Sequence, residues 1–216
     1  METPEEKRGG LGVASALIWL AAIFLLTLFS TRLFAIAGEE KTVHHYSKEN
    51  IGQYVTLIGD SISRGSLAEL EEALPGADIE AVNGIAFSKY RDGIGEGGFA
   101  RLKKHAMRKV VVFLLGTNGG VTNLEVSDLV SYVGPEREII LMTSYRETAD
   151  MAAWNAPIYL YDNKYDNVHV LDWNIVNTGD PDRLLKPDHV HPNAEGRQYF
   201  AHMVRKLVLE ALELSD

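Results

Sequence analysis

The sequence predicts a three-layer α/β sandwich around a parallel, five-stranded sheet. Short apolar runs alternate with amphipathic segments along residues 51–216, and such alternation builds sheets whose crossovers are helices. Several runs are almost continuously apolar, as strands covered on both faces are. The five strand candidates are "YVTLIGDS", "ADIEAVNG", "KVVVFLLGTNG", "REIILMTSY" and "NVHVLDW". Between them, "SLAELEEAL", "FARLKKHAMRK" and "NLEVSDLVSYV" read as helices. The last helix is the clearest. Phe200, Met203, Val204, Leu207, Val208, Ala211 and Leu212 keep the three-and-four spacing of one buried face, and Asn193 can cap its start.

The N-terminal part has a different character. Residues 9–31 carry no charge, and the run is long enough to cross the roughly 30 Å hydrocarbon layer of a membrane as a helix. Lys7 and Arg8 precede it, so the positive-inside rule leaves residues 1–8 as a cytoplasmic tail and sends the remainder outside. "FAIAGEE" follows, where Ala35 and Ala37 fit a small-residue cleavage site. A cleaved signal peptide therefore stands beside a retained anchor over residues 9–37. The run exceeds the roughly 7–15 apolar residues of a signal core, which favours the anchor. Residues 38–50, "GEEKTVHHYSKEN", read as a polar linker with solvated His44 and His45. A single-pass protein of the cell membrane is expected, its domain at 51–216 extracytoplasmic.

Composition excludes several functions. The 216 residues include 21 Lys and Arg against 30 Asp and Glu, a formal charge of −9. The acids Glu2, Glu5 and Glu6 and the bases Lys7, Arg8 and Arg32 cancel, so the outer domain keeps that charge. Nucleic acid is a poor partner for it, because such affinity rests on cations neutralising phosphates. There is no cysteine, so the domain is held by packing without disulfides.

Three strand candidates end in residues suited to chemistry. Gly59, Asp60 and Ser61 leave the first, Asn83 and Gly84 the second, and Gly116, Thr117 and Asn118 the third. In an open parallel sheet, sites form outside the carboxyl ends of strands, so these stretches converge. Near the C-terminus "LLKPDHVHPNAEG" adds Asp188, His189 and His191. A serine hydroxyl becomes a nucleophile when a histidine takes its proton and a carboxylate fixes that histidine. Asp188 and His191, three residues apart on a turn, can be such a pair for Ser61. The backbone amides of Ser61 and Gly84 and the side-chain amide of Asn118 can receive the developing oxyanion. Each has a plainer alternative: Ser61 as a helix cap, Asn118 as a turn residue. Asp60 reads as a carboxylate that ties its turn together. His189 with Asp188 and His191 raises a metal site, but hydrolytic zinc needs a third protein ligand and an open position, and no other strand end offers one. Neither a metal nor a cofactor is expected. His105, His169 and His202 read as structural or surface residues.

In this order the residues resemble the SGNH (GDSL-like) hydrolase superfamily over about residues 53–212. Gly59, Asp60 and Ser61 match its first block, Gly84 the glycine of its second, Gly116, Thr117 and Asn118 its third, and Asp188 with His191 its terminal D-x-x-H. The resemblance implies a flavodoxin-like sheet, a Ser61–His191–Asp188 triad, and an oxyanion hole of Ser61, Gly84 and Asn118. "GTNG", "VHVLDW" and the membrane tether are similar to the extracytoplasmic domain of bacterial peptidoglycan O-acetyltransferases. What that implies is transfer of an O-acetyl group to cell-wall glycan. Those proteins usually carry a many-helix acyl-donor module, whereas one span stands here, so the acyl donor is left open, a separate membrane protein being one candidate. The alternatives are an esterase removing O-acyl groups from carbohydrate or lipid, and a silent glycan-binding module. Tyr145 and Arg146 close the fourth strand and, with Trp154 and Asn155 of "MAAWNAPIY", are candidate substrate contacts. Arg146 can equally form a surface ion pair, and Trp154 can equally fill the core.

Overall fold

The computed structural model describes residues 46–91 and 107–214. The expected tail and membrane segment, His44, His45, His105 and most of "FARLKKHAMRK" lie outside the described residues. Among those described, no helix is long and apolar enough to cross a membrane.

A 3-10 turn, Ile51–Tyr54, leads into β1 (Val55–Gly59), α1 (Ser61–Gly65) and α2 (Leu67–Ala73). Then come β2 (Asp78–Ala81), α3 (Phe87–Arg91), β3 (Val110–Leu114), α4 (Asn123–Val133) and β4 (Glu138–Met142). The chain continues through α5 (Met151–Asp162), β5 (Val168–Leu171), α6 (Trp173–Asn177), α7 (Pro181–Leu184) and α8 (Ala194–Ala211). All five strands are parallel in the order β2-β1-β3-β4-β5. Each expected strand is present, and the order is the flavodoxin-like one, with its reversal between β1 and β3.

Alternation along the strands divides the core into two layers. Val110, Val112 and Leu114 of β3, with Ile140 and Met142 of β4, face a cluster containing Leu70, Phe200, Val204 and Val208. Val111 and Phe113, with Ile139 and Leu141, face Val126, Leu129, Val133 and Ile158. Period-two side chains on central strands thus supply both faces of the sheet. Trp173 and Phe200 meet edge to face at 5.3 Å, and burying each such ring contributes a few kcal/mol, on the order of 2–3.

Caps set the helix starts. Asn193 Oδ1 accepts from Gly196 N at 2.9 Å and begins α8, while Thr122 and Glu125 form a capping box on α4. Helix α5, which contains Pro157, is not among the helices expected from the sequence. The folded part also begins earlier than the boundary at residue 51. Tyr46, placed in the linker by its polar surroundings, packs edge to face on Tyr54 at 4.8 Å, and Arg205 donates to Lys48 O at 3.3 Å.

One close approach positions the C-terminal site loop. A Cβ on Gly196 would stand 1.9 Å from Leu184 O, so only glycine lets the first turn of α8 lie against the end of α7. Asn193 N then donates to Leu184 O at 2.9 Å, Lys186 N donates to His191 O at 2.8 Å, and Leu185 bridges Pro192 antiparallel. Residues 185–192 are therefore a small closed hairpin whose tip carries Asp188 and His191.

Candidate active site

Ser61 is the first residue of α1, directly beyond β1. The helix cap is Asp60, whose Oδ1 accepts from Ile62 N at 2.9 Å, so Ser61 is not needed as a cap and its hydroxyl faces His191. Ser61 Oγ stands 3.0 Å from His191 Nε2, and His191 Nδ1 stands 2.8 Å from Asp188 Oδ2. With the Nδ1 proton directed at the carboxylate, Nε2 accepts from the serine hydroxyl. Asp188 Oδ1 accepts from the amides of Val190 at 3.0 Å and His191 at 2.9 Å, so the turn that presents the histidine also orients its carboxylate.

Around Ser61 lies an open cleft of about 560 Å³, whose lining includes Asn83, Gly84, Asn118 and His191. Gly84 has φ +69, a left-handed value that glycine takes without strain, and it stands exposed at the cleft wall. Asn118 Nδ2 donates to Ile85 O at 3.1 Å, which ties the third strand's exit loop to the second's. A primary amide has two N–H groups, so one remains for an oxyanion. Ser61 N, at the first helical position, has no intrahelical acceptor. The three expected donors thus belong to loops that meet at this cleft.

Asp60 and Asp188 titrate in opposite directions. Asp60 is fully buried, and burial pushes its carboxyl up to about 6, against the Ile62 amide, Thr117 and the charge of His191. Burial of Asp188 would also raise it, but the His191 amide and ring and the Val190 amide bring it down to about 2. The signs follow. A depressed carboxylate stabilises the fold above its unfolded value of 3.8 and loses this as pH falls toward about 2. A raised one favours the fold while protonated, so its support is present below 3.8 and lost as pH rises toward about 6. Unfolding free energy should therefore rise through the first interval and fall through the second, the falling limb being on the order of 2–3 kcal/mol. Urea unfolding across pH checks this. Asp60→Asn should remove only the falling limb, and an unchanged limb would assign it to another group.

His189 does not join the triad. At φ +50 it turns away, its Nδ1 2.7 Å from Glu147 Oε2 and its Nε2 2.9 Å from Asp182 Oδ1. The two carboxylates hold its pKa above the ordinary histidine value. His169 pairs with Glu138 at 3.1 Å, and His202 is an exposed residue of α8.

The expected substrate contacts take other places. Tyr145 packs against the first core layer, and Arg146 Nη1 donates to Thr117 O at 3.4 Å. Trp154 covers Gly120, where a Cβ would approach its ring to 2.8 Å. Asn155 is buried and clamps Ser144 through both ends of its amide, at 2.8 and 2.9 Å. It is therefore a structural residue, not a glycan wall. Tyr145, Arg146 and Trp154 are not among the residues lining the cleft, whereas Arg64 and Lys186, which the sequence did not single out, are. The available signal was spacing: Arg64 lies one helical turn beyond Ser61.

The five-stranded parallel topology is a fold shared with solved SGNH hydrolases. Solved structures with this architecture include the catalytic domain of Streptococcus pneumoniae peptidoglycan O-acetyltransferase A, carrying a methylsulfonyl adduct, with TM-score 0.62 and 21% identity over 74% of this chain and 93% of that one. A family 3 carbohydrate esterase of Clostridium thermocellum aligns at TM-score 0.57 and 17% identity, over 74% of this chain and 96% of its own. An SGNH hydrolase from Slackia heliotrinireducens, itself described as putative, aligns at 0.56 and 17%, over 70% and 96%. Neither a protein-family model nor a curated protein sequence matches the chain.

Proposed function

We propose that this chain is a serine acyl enzyme that moves an O-acetyl group onto a cell-wall glycan outside the cytoplasm, tethered by residues 9–37. The observation that carries the chemistry is the unbroken relay from Ser61 Oγ through His191 to Asp188, at 3.0 and 2.8 Å. A pure glycan binder has no use for it. Ser61 attacks the acyl carbonyl while its proton passes to His191 Nε2, and Asp188 steadies the imidazolium. Oxyanion charge is received by Ser61 N, Gly84 N and Asn118 Nδ2. Collapse expels the donor oxygen, which takes the proton from His191, and the acyl group remains on Ser61. An acceptor hydroxyl then loses its proton to His191 as it attacks, and the serine is regenerated.

Likeness to an O-acetyltransferase domain and to a carbohydrate esterase supports a carbohydrate ester chemistry in two directions, transfer and hydrolysis. Bulk water is about 55 M, so a transferase must hold its acceptor where effective molarity exceeds this. A membrane tether keeps the domain near the wall glycan and near a separate membrane protein that would present the acetyl group, which supports transfer. The test is the fate of acetyl from an activated ester. Adding peptidoglycan oligosaccharide should lower free acetate and raise sugar ester in step. An acetate yield unchanged at saturating acceptor would assign hydrolysis instead.

A further inference from the structure

The walls of the cleft carry charge of the opposite sign to the chain. Arg64 and Lys186 both line it, and no acidic side chain does so among the described residues. Each is coupled to a catalytic residue by backbone. Arg64 is three residues after Ser61 on α1, and its amide donates to Asp60 O at 2.9 Å. Lys186 donates its amide to His191 O at 2.8 Å across the hairpin. Both side chains are exposed, and no ion pair among the described residues involves either. Asp188, the nearest carboxylate in sequence to Lys186, is spent on His191 and the turn amides. In a protein of net charge −9, two cations without a carboxylate partner among the described residues, on the elements that carry Ser61 and His191, are a local exception.

We infer that this cleft selects an acyl donor whose leaving group carries a compact anionic group, a carboxylate or a phosphate, close to the reacting oxygen. This rests on the acyl-serine chemistry proposed above. A guanidinium offers a planar fork that suits either oxyanion, and an ammonium adds a point charge. The overall negative charge repels long polyanions, so recognition is of one group at short range. Arg64 and Lys186 act on substrate choice, since Ser61, His191 and Asp188 complete the bond changes without them.

The test uses aryl acetates matched except in charge: 4-acetoxybenzamide, 4-acetoxybenzoate and 4-acetoxyphenyl phosphate, each rate normalised to hydroxide cleavage of the same ester. Wild-type protein should favour an anionic ester over the neutral one by about tenfold in kcat/KM. That ratio should fall toward one in Arg64→Gln/Lys186→Gln and with rising salt, while Arg64→Lys retains part of it. A larger gain for phosphate or for carboxylate tells which group is taken. A ratio of one in the wild type, or a ratio that survives the double substitution, overturns the inference and leaves the acyl-serine reading intact. Absence of Ser61-dependent turnover of every ester would sink that reading instead. The charge preference is then read from NMR shift titrations of Ser61→Ala protein with 4-hydroxybenzoate and 4-hydroxybenzamide, where equal binding overturns it.

Discussion

Ser61→Ala and His191→Ala should each reduce kcat on an activated acetyl ester by about 10⁴- to 10⁶-fold, and the double variant should be scarcely worse than either. The reason is geometric. Among the described residues Ser61 Oγ has one base within hydrogen-bond reach, and His191 Nε2 has Ser61 as its partner, so either loss breaks the same relay. Asp188→Asn should be costly for a different reason, because an amide facing His191 Nδ1 favours the wrong tautomer. His189→Ala is the control. Its ring is taken by Glu147 and Asp182, so turnover should stay within about tenfold of wild type. What should change is stability against pH. His189 is raised by its two carboxylates, so its support is present below the unfolded value of 6.5 and fades as pH rises through the folded one. Inactivity of a folded His189→Ala equal to that of His191→Ala would move the base to His189.

The pairing of Asp188 with His191 was legible in the sequence because it is local, and the approach of Ser61 to that pair, across 130 residues, because both stand at the sheet's carboxyl end. A strand exit fixes where Ser61 stands, and a three-residue spacing on one turn brings Asp188 and His191 together without information from the rest of the chain. Strands were legible for a related reason. β1 and β3 are buried on both faces and so leave continuous apolar runs. The direction of side chains on the β4 rim was not legible. Arg146 turns to Thr117 O and Trp154 settles over Gly120, and both choices depend on a loop distant in sequence. Lys186 was missed similarly. Its place in the cleft follows from the hairpin that α8 closes against α7, a contact that hangs on the absence of a side chain at Gly196. Asp60 presents a third case. Its capping role could be read from the strand-to-helix junction, but its raised pKa needs the burial that only the assembled sheet supplies.

Asn118→Ala should lower kcat by about 10²- to 10³-fold with little change in KM, the loss characteristic of a donor that acts when negative charge develops on the substrate oxygen. Two effects must be separated, because Asn118 Nδ2 also donates to Ile85 O at 3.1 Å and so braces the loop that presents Gly84. If bracing were its whole contribution, the variant would let Gly84 drift, and the melting temperature and the cleft's affinity for unreacted ester would fall together. If oxyanion donation dominates, melting and KM hold while kcat falls. Asn118→Asp sharpens the distinction. A carboxylate there cannot donate, and it sets a negative charge beside the forming oxyanion, so its kcat should fall below that of Asn118→Ala. The rate of Ser61 sulfonylation by methanesulfonyl fluoride should follow the same ranking, since that reaction also develops charge on oxygen at the serine. A folded Asn118→Ala within tenfold of wild-type kcat would leave the amides of Ser61 and Gly84 to stabilise the oxyanion, with Asn118 reduced to a strut between the two loops.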